Sequence, residues 1–151
     1  MKVYYILPLF LWGVFGLWAC QSEPKINIAY GQTECEHCKM NITEQKFATV
    51  AFTRKGKQYA FDALECLVPW LNEKSVPQED IDKLMVADYL HPGQFLEIQQ
   101  ALYVESDSIR SPMGGHIAAF ANETDRSGFL QQTAGTKLDW QATQQRYTRK
   151  R

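Results

Sequence analysis

An excess of charge of either sign is missing from this chain. Sixteen Lys and Arg stand against seventeen Asp and Glu, a formal net charge of −1 over 151 residues. No field marks it as a nucleic-acid binder. A second paired-cysteine motif is missing as well. Beyond Cys35-X-X-Cys38, only Cys66, His91 and His116 lie downstream as further thiol or imidazole donors, which excludes a zinc ribbon built on two pairs. No Ser/His/Asp set, phosphate-binding loop or separated pair of carboxylates stands out, so hydrolase chemistry has no motif behind it.

Long apolar runs are scarce too, and the one that is present sits at the start. Val3 to Trp18 follows the lone cation Lys2 and is about the length of a secretory h-region, at the short edge of a spanning helix. It ends in Leu17-Trp18-Ala19-Cys20, which resembles a bacterial lipobox, with Trp18 bulkier than usual at its position. The alternative is an uncleaved signal anchor ending in an incidental cysteine. The expectation is a lipoprotein signal over 1–20, lipidation at Cys20, and a polar tether over 21–30. Acyl chains there would hold the protein to a membrane on its extracytoplasmic side. Gln21 is not the Asp that favours inner-membrane retention in some Gram-negative bacteria. About 130 residues follow, enough for one ordinary domain or two very small ones.

With Cys20 alkylated, Cys35, Cys38 and Cys66 remain. An odd count outside the cytoplasm leaves a thiol free, paired between chains, or bound to something. Cys66 lies in an apolar segment of helical spacing that starts after Asp62, read as an N-cap, and should end near Pro69 or be prolonged irregularly by Trp70 and Leu71. Such a cysteine reads as a small core hydrophobe.

Phe47 to Phe52 and Gln58 to Phe61 flank a Thr-Arg-Lys-Gly-Lys turn and predict a hairpin. Leu84 to Tyr89 and Ala101 to Val104 read as extended, whereas Phe95 to Ile98 is ambiguous. Ile117 to Phe120 is another apolar run, followed by a weak helix over 121–135 and a closing stretch around Trp140. The basic terminus, 146–151, reads as a solvated tail. A faint repeat is also visible. Met40 and Met113 each precede a strand-like run, ending in Phe52 and Phe120, at an offset of about 70 positions.

The densest chemistry lies in Cys35-Glu36-His37-Cys38-Lys39-Met40, with three sulfur atoms in six residues. Thiols at i and i+3 can converge on one ion, and thiolate with thioether is a soft set that suits Cu(I) over Mg²⁺, Ca²⁺ or Mn²⁺. A thioredoxin-type motif would open a helix, and the residues after Met40 do not support one. A structural disulfide between Cys35 and Cys38 competes evenly with metal binding, until Met40, for which a disulfide has no use, is counted. Met113 sits between Pro112 and Gly114-Gly115, at a loop tip where it either meets a ligand or tucks into a seam between lobes. His116 is either a nitrogen donor or an exposed polar residue. His37, between the cysteines, is expected to point away from a shared ion.

Taken in order, several segments resemble the NosL family, the nitrous oxide reductase accessory lipoproteins. They are the lipobox cysteine, Cys35-X-X-Cys38-X-Met40-X-Ile42, Phe61-Asp62-Ala63-Leu64-Glu65-Cys66-Leu67, Val86-Ala87-Asp88-Tyr89, Ala101-Leu102-Tyr103-Val104, and Ser111-Pro112-Met113-Gly114-Gly115 through Phe120. The resemblance covers nearly the whole chain after the signal. It implies an α+β fold of two small similar β-β-α lobes with short antiparallel sheets, the first over about 31–80 and the second over about 81–145. It implies a Cu(I)-binding protein, not an enzyme, that passes copper to a partner in nitrous oxide reductase maturation. Carried over by position, the metal donors are Cys35, Cys38, Met40 and Met113, with His116 added for its chemistry. The competing readings are a thiol–disulfide oxidoreductase lipoprotein acting through Cys35 and Cys38, and a lipoprotein in which that pair is only a staple.

Overall fold

The computed structural model describes residues 25–148. The expected signal 1–20, the lipidation at Cys20, tether residues 21–24 and tail residues 149–151 lie outside the described residues. Among those described, no helix is long and apolar enough to cross a membrane.

Strands come first because the apolar, β-branched and aromatic runs are short and bounded by turns. β1 (Thr49–Thr53) and β2 (Gln58–Phe61) form the expected hairpin, which leads into helix α1 (Leu64–Asn72). β3 (Ile81–Ala87) returns along the other side of β1, and β4 (Phe95–Glu97) adds to β3, giving an antiparallel sheet of order β2-β1-β3-β4. β5 (Leu102–Glu105), β6 (Ile117–Phe120), α2 (Glu123–Gln132) and β7 (Thr136–Leu138) follow, with sheet order β6-β5-β7. Helix α3 (Trp140–Thr148) closes the described chain and packs on α1.

Each half is therefore strand, strand, helix, strand, with its first strand in the middle of the three. The α+β architecture of two similar antiparallel lobes is as expected, but the register of the repeat is not. The strand that contains Phe52 is the first of its unit, and the strand ending at Phe120 is the second. The true counterparts are Phe61 and Phe120, 59 positions apart, both fully buried and both closing the strand that feeds a helix. Met40 precedes β1 whereas Met113 lies between β5 and β6, so the two methionines are not repeat equivalents. Because β3 and β4 pair into the first sheet, the change of sheet falls between Glu97 and Leu102, not at position 80.

The two sheets share one core. Phe61, Leu67, Trp70 and Val86 from the first half pack in a single cluster with Tyr103, Ile117 and Ala119 from the second. A bridge from Asp88 to Ala119 stitches the sheets at the backbone, with the Tyr89 N–H donating to the Ala119 carbonyl at 2.9 Å.

Helix ends depart from the sequence reading in instructive ways. α1 is capped by Ala63 without a side-chain bond, so Asp62 is not its N-cap. Asp62 instead receives the Thr43 N–H. α1 also runs through Pro69 to Asn72. Proline deletes one backbone donor near the helix end, while continuing the helix buries Trp70 against Tyr59 and Phe61, each ring centroid 5.0 Å away. α2 begins at Glu123, with Asn122 accepting the Asp125 N–H at 2.9 Å, a cap that contributes about 1 kcal/mol.

Both expected tails are partly folded in. Ile26 and Ile28 pack on the first sheet, and Asn27 exchanges two hydrogen bonds with the Gln58 side chain. Residues 146–148 belong to α3, with Arg146 ion-paired to Glu105 at 3.0 Å.

Candidate metal centre

The loop that carries the paired thiols is closed at its base by an antiparallel bridge between Glu34 and Asn41. Inside it the Cys35 N–H donates to the Met40 carbonyl at 2.8 Å and the Lys39 N–H to the Cys35 carbonyl at 3.0 Å. Lys39 takes φ +62°, a left-handed conformation that costs an ordinary side chain. That reversal turns Cys38 back towards Cys35. The motif is a knuckle between two bridging residues, not the start of a helix.

The third thiol comes from α1. Cys66 lies in its first turn, and one sulfur each from Cys35, Cys38 and Cys66 lies within 4.8 Å of the other two. All three are free thiols; Cys35 and Cys66 are fully buried and Cys38 is half-buried. The core placement expected for Cys66 is correct but incomplete, because its sulfur faces the pair. The sequence carried a usable signal: a cysteine two residues into a helix that follows the strand nearest the knuckle. The Glu36 N–H donates to the Ala60 carbonyl at 2.9 Å and so fixes the knuckle to β2.

Backbone donors converge on the sulfurs. The Cys35 sulfur receives the Cys66 thiol proton and the backbone N–H groups of Cys38, Asp62 and His37, which hold its pKa well below the usual thiol range despite burial. The Cys66 thiol, donating to Cys35 and buried, is pushed far up. Cys38 is pushed up chiefly by burial, although it receives the Met40 N–H. Several N–H donors around one sulfur favour a thiolate. Beside them Asp62 is buried with Oδ1 lacking a hydrogen-bond partner, and burial, then the nearby Cys35, raises its pKa.

Of the remaining expected donors, Met40 lies in the knuckle itself and Met113 and His116 lie on the 111–116 segment. Met40 follows Cys38 by two residues and is 49% exposed; Met113 is 45% exposed. With Leu90 they are the exposed large hydrophobic residues among those described. Met113 rides the 111–116 loop, which is fastened to α1: the Glu65 carboxylate accepts from the Ser111 hydroxyl and from the Gly115 N–H at 3.0 Å. Glu65 is the residue before Cys66, so the second methionine segment is tied to the helix turn that supplies the third thiol. His116 is not in the thiol group. It has φ +60°, and its Nδ1 donates to the Ile109 carbonyl at 2.8 Å, leaving Nε2 as the nitrogen able to ligate. His37 turns away from the sulfurs to Glu73, 3.7 Å distant.

The family model NosL matches residues 27–148, nearly everything the structure describes. The chain belongs to the NosL family. A crystal structure of the copper chaperone NosL from Shewanella denitrificans matches the fold with a TM-score of 0.65 at 20% sequence identity. The match covers 79% of this chain and 95% of that one. No curated protein matches the chain by sequence. Membership of the NosL family and the structural match agree on the fold, within which two thiols from one knuckle and a third from a helix could hold one metal ion.

Proposed function

We propose that this NosL protein is a carrier of Cu(I) on the extracytoplasmic side of a membrane, held there through Cys20, and that it delivers copper for maturation of nitrous oxide reductase. Copper is its cargo. The observation that carries the reading is the convergence of Cys35, Cys38 and Cys66 beneath backbone donors that favour thiolate. Thiolates are soft ligands and select Cu(I). Three sulfurs around an ion with bonds near 2.3 Å stand about 4 Å apart, so a set within 4.8 Å needs little contraction. Family membership and the name of the Shewanella protein support the same cargo. The apolar run and lipobox-like Cys20 support the anchor.

Each residue then has a task. Cys35 supplies the thiolate that is ready before the metal arrives; Cys38 and Cys66 release protons on binding. Met40 and Met113, exposed and soft, are the groups through which copper is received and passed on, with His116 Nε2 a nitrogen donor on the same loop. Half-exposed Cys38 keeps one side open, which delivery requires. The thiol–disulfide reading lacks its usual support, since the knuckle opens no helix.

The test is titration with Cu(I) under reductant against a chromophoric chelator, with X-ray absorption of the loaded protein. One tight Cu(I) per chain, surrounded mainly by sulfur, is expected. No stoichiometric copper, or a shell of nitrogen and oxygen alone, would overturn the proposal.

A further inference from the structure

A second set of donors sits apart from the thiols, where the two sheets meet. Asp88 follows β3, His91 lies in the turn towards β4, and Asp125 is in the first turn of α2. One carboxylate oxygen from each aspartate and one ring nitrogen of His91 all lie within 4.8 Å of one another. They come from two distant segments that the fold has brought together.

Asp88 is the unusual member. It is wholly buried, and a buried carboxylate is costly unless a cation or ample hydrogen bonding meets it. Its Oδ1 accepts the Leu90 N–H at 3.1 Å and its Oδ2 meets His91 Nδ1 at 2.9 Å. Among the described residues, His91 is the cationic partner it has, and no lysine or arginine forms an ion pair with it. The backbone holds Asp88 rigidly: its N–H donates to the Gln94 carbonyl at 2.9 Å, and the next residue is bonded to Ala119 of the second sheet. Asp125 is oriented as well, since its Oδ2 accepts from the Asn122 side chain at 2.8 Å. The His91 side chain is 47% exposed and opens the group to solvent.

We propose that Asp88, His91 and Asp125 form a divalent-metal site of the Zn²⁺ or Cu²⁺ class, chemically distinct from the thiol cluster. One imidazole with two carboxylates is a borderline donor set that has little use for Cu(I). Two ligands on an ion with bonds of about 2.1 Å stand about 3 Å apart at a right angle and somewhat more at a tetrahedral one; Asp88 Oδ2 and His91 Nδ1 stand at 2.9 Å across a hydrogen bond, and the ion would take the place of its proton, released to solvent. Three protein ligands on a solvent-facing group leave a position for water. The ion would pin the β3–β4 turn to α2, and therefore the first lobe to the second. It would bind the native state alone and raise its stability.

The experiment uses the full chain with its thiols loaded with Cu(I), and Zn²⁺ as the titrant in calorimetry. One Zn²⁺ per chain and a rise in Tm are expected, with the bound copper unchanged. His91→Ala and Asp125→Asn should each weaken Zn²⁺ at least tenfold while leaving Cu(I) loading as it was; Asp88, being buried, is left intact. Co²⁺ on the metal-free protein keeps this result separate from the copper reading. Thiolate-to-metal charge-transfer bands mark the cysteine cluster, and weak d–d bands without them mark the Asp/His site. Should Zn²⁺ fail to bind the copper-loaded protein, or bind His91→Ala equally well, Asp88 and His91 are an ion pair only.

Discussion

The Glu65 carboxylate accepts a 3.0 Å hydrogen bond from the Gly115 backbone N–H, fifty positions further along the chain. The same carboxylate accepts from the Ser111 hydroxyl, and that hydroxyl accepts in turn from the N–H groups of Gly115, at 2.8 Å, and His116, at 3.1 Å. Tyr147 of α3 donates to the other oxygen at 3.4 Å. One carboxylate thus fastens the Met113 loop and the last helix to the helix turn that carries Cys66.

Gly115 is where the fit is tightest. A Cβ there would stand 2.6 Å from the Tyr147 oxygen and 2.7 Å from the Glu65 carboxyl carbon. Gly115→Ala forces both side chains aside and should cost about 1–3 kcal/mol. The check is a lowered urea midpoint at unchanged m. A variant as stable as the parent would mean the loop slides off α1 freely.

Glu65→Ala goes further, leaving the Ser111 hydroxyl without its acceptor, while the buried Gly115 N–H keeps only the Ser111 oxygen at 2.8 Å. That loss is about 1–3 kcal/mol, whereas Glu65→Gln keeps an acceptor oxygen and should lose less. Because the loop brings Met113 and His116, Cu(I) affinity should fall in Glu65→Ala although every thiol remains. Unchanged affinity in that variant, measured by chelator competition, would separate the loop from the metal.

Cys66 separates packing from ligation. Cys66→Ser is close in volume but replaces a soft thiolate with a hard hydroxyl. Cu(I) affinity should drop at least tenfold, about 1.4 kcal/mol. If Cys66 were core alone, Cys66→Ser and Cys66→Ala would both shift the unfolding midpoint and leave the copper constant where it was.

Much of this was legible beforehand, and what was not has identifiable causes. The β1–β2 hairpin and the paired thiols follow from local pattern, and the two-lobe α+β plan from the family resemblance. The register of the repeat does not, because Phe52 and Phe120 look alike in sequence while one lies in a first strand and the other in a second. α1 runs past Pro69 because Trp70 gains a contact with Tyr59 and Phe61 that only the tertiary fold supplies. Cys66 was legible as buried but not as a sulfur facing the knuckle, since burial is read from periodicity and direction is not. Asp88 and Asp125 carry no motif, and only the folded chain brings them to His91.

Tyr103 gives a pH dependence away from any metal. It is fully buried, its hydroxyl donates to the Ile98 carbonyl at 2.5 Å, and burial pushes its pKa above the ordinary phenol range. In the unfolded chain it ionises near 10. Above that pH the unfolded state releases a proton that the native state keeps, so stability falls as pH rises. The stability advantage of the parent over Tyr103→Phe should therefore shrink between about pH 9 and 11. A constant difference across that window would show that Tyr103 ionises equally in both states.

Under the proposed copper role, Met40 and Met113 are the residues that separate storage from delivery. Both thioethers are half-exposed in a fold that buries most of its other large apolar side chains. Exposing an apolar side chain of this size forgoes about 1.5–3 kcal/mol of burial, so packing does not account for them. As the soft groups outside a thiol cluster, they should lower the barrier to exchange by keeping copper ligated while thiolates let go. Met40→Ala and Met113→Ala are each expected to weaken Cu(I) about tenfold and to slow transfer to a chelator more than the weakened affinity predicts. Leucine, equal in bulk but without sulfur, should reproduce both effects. Faster transfer from the leucine variants than from the parent would make the methionines part of the store instead of the route out.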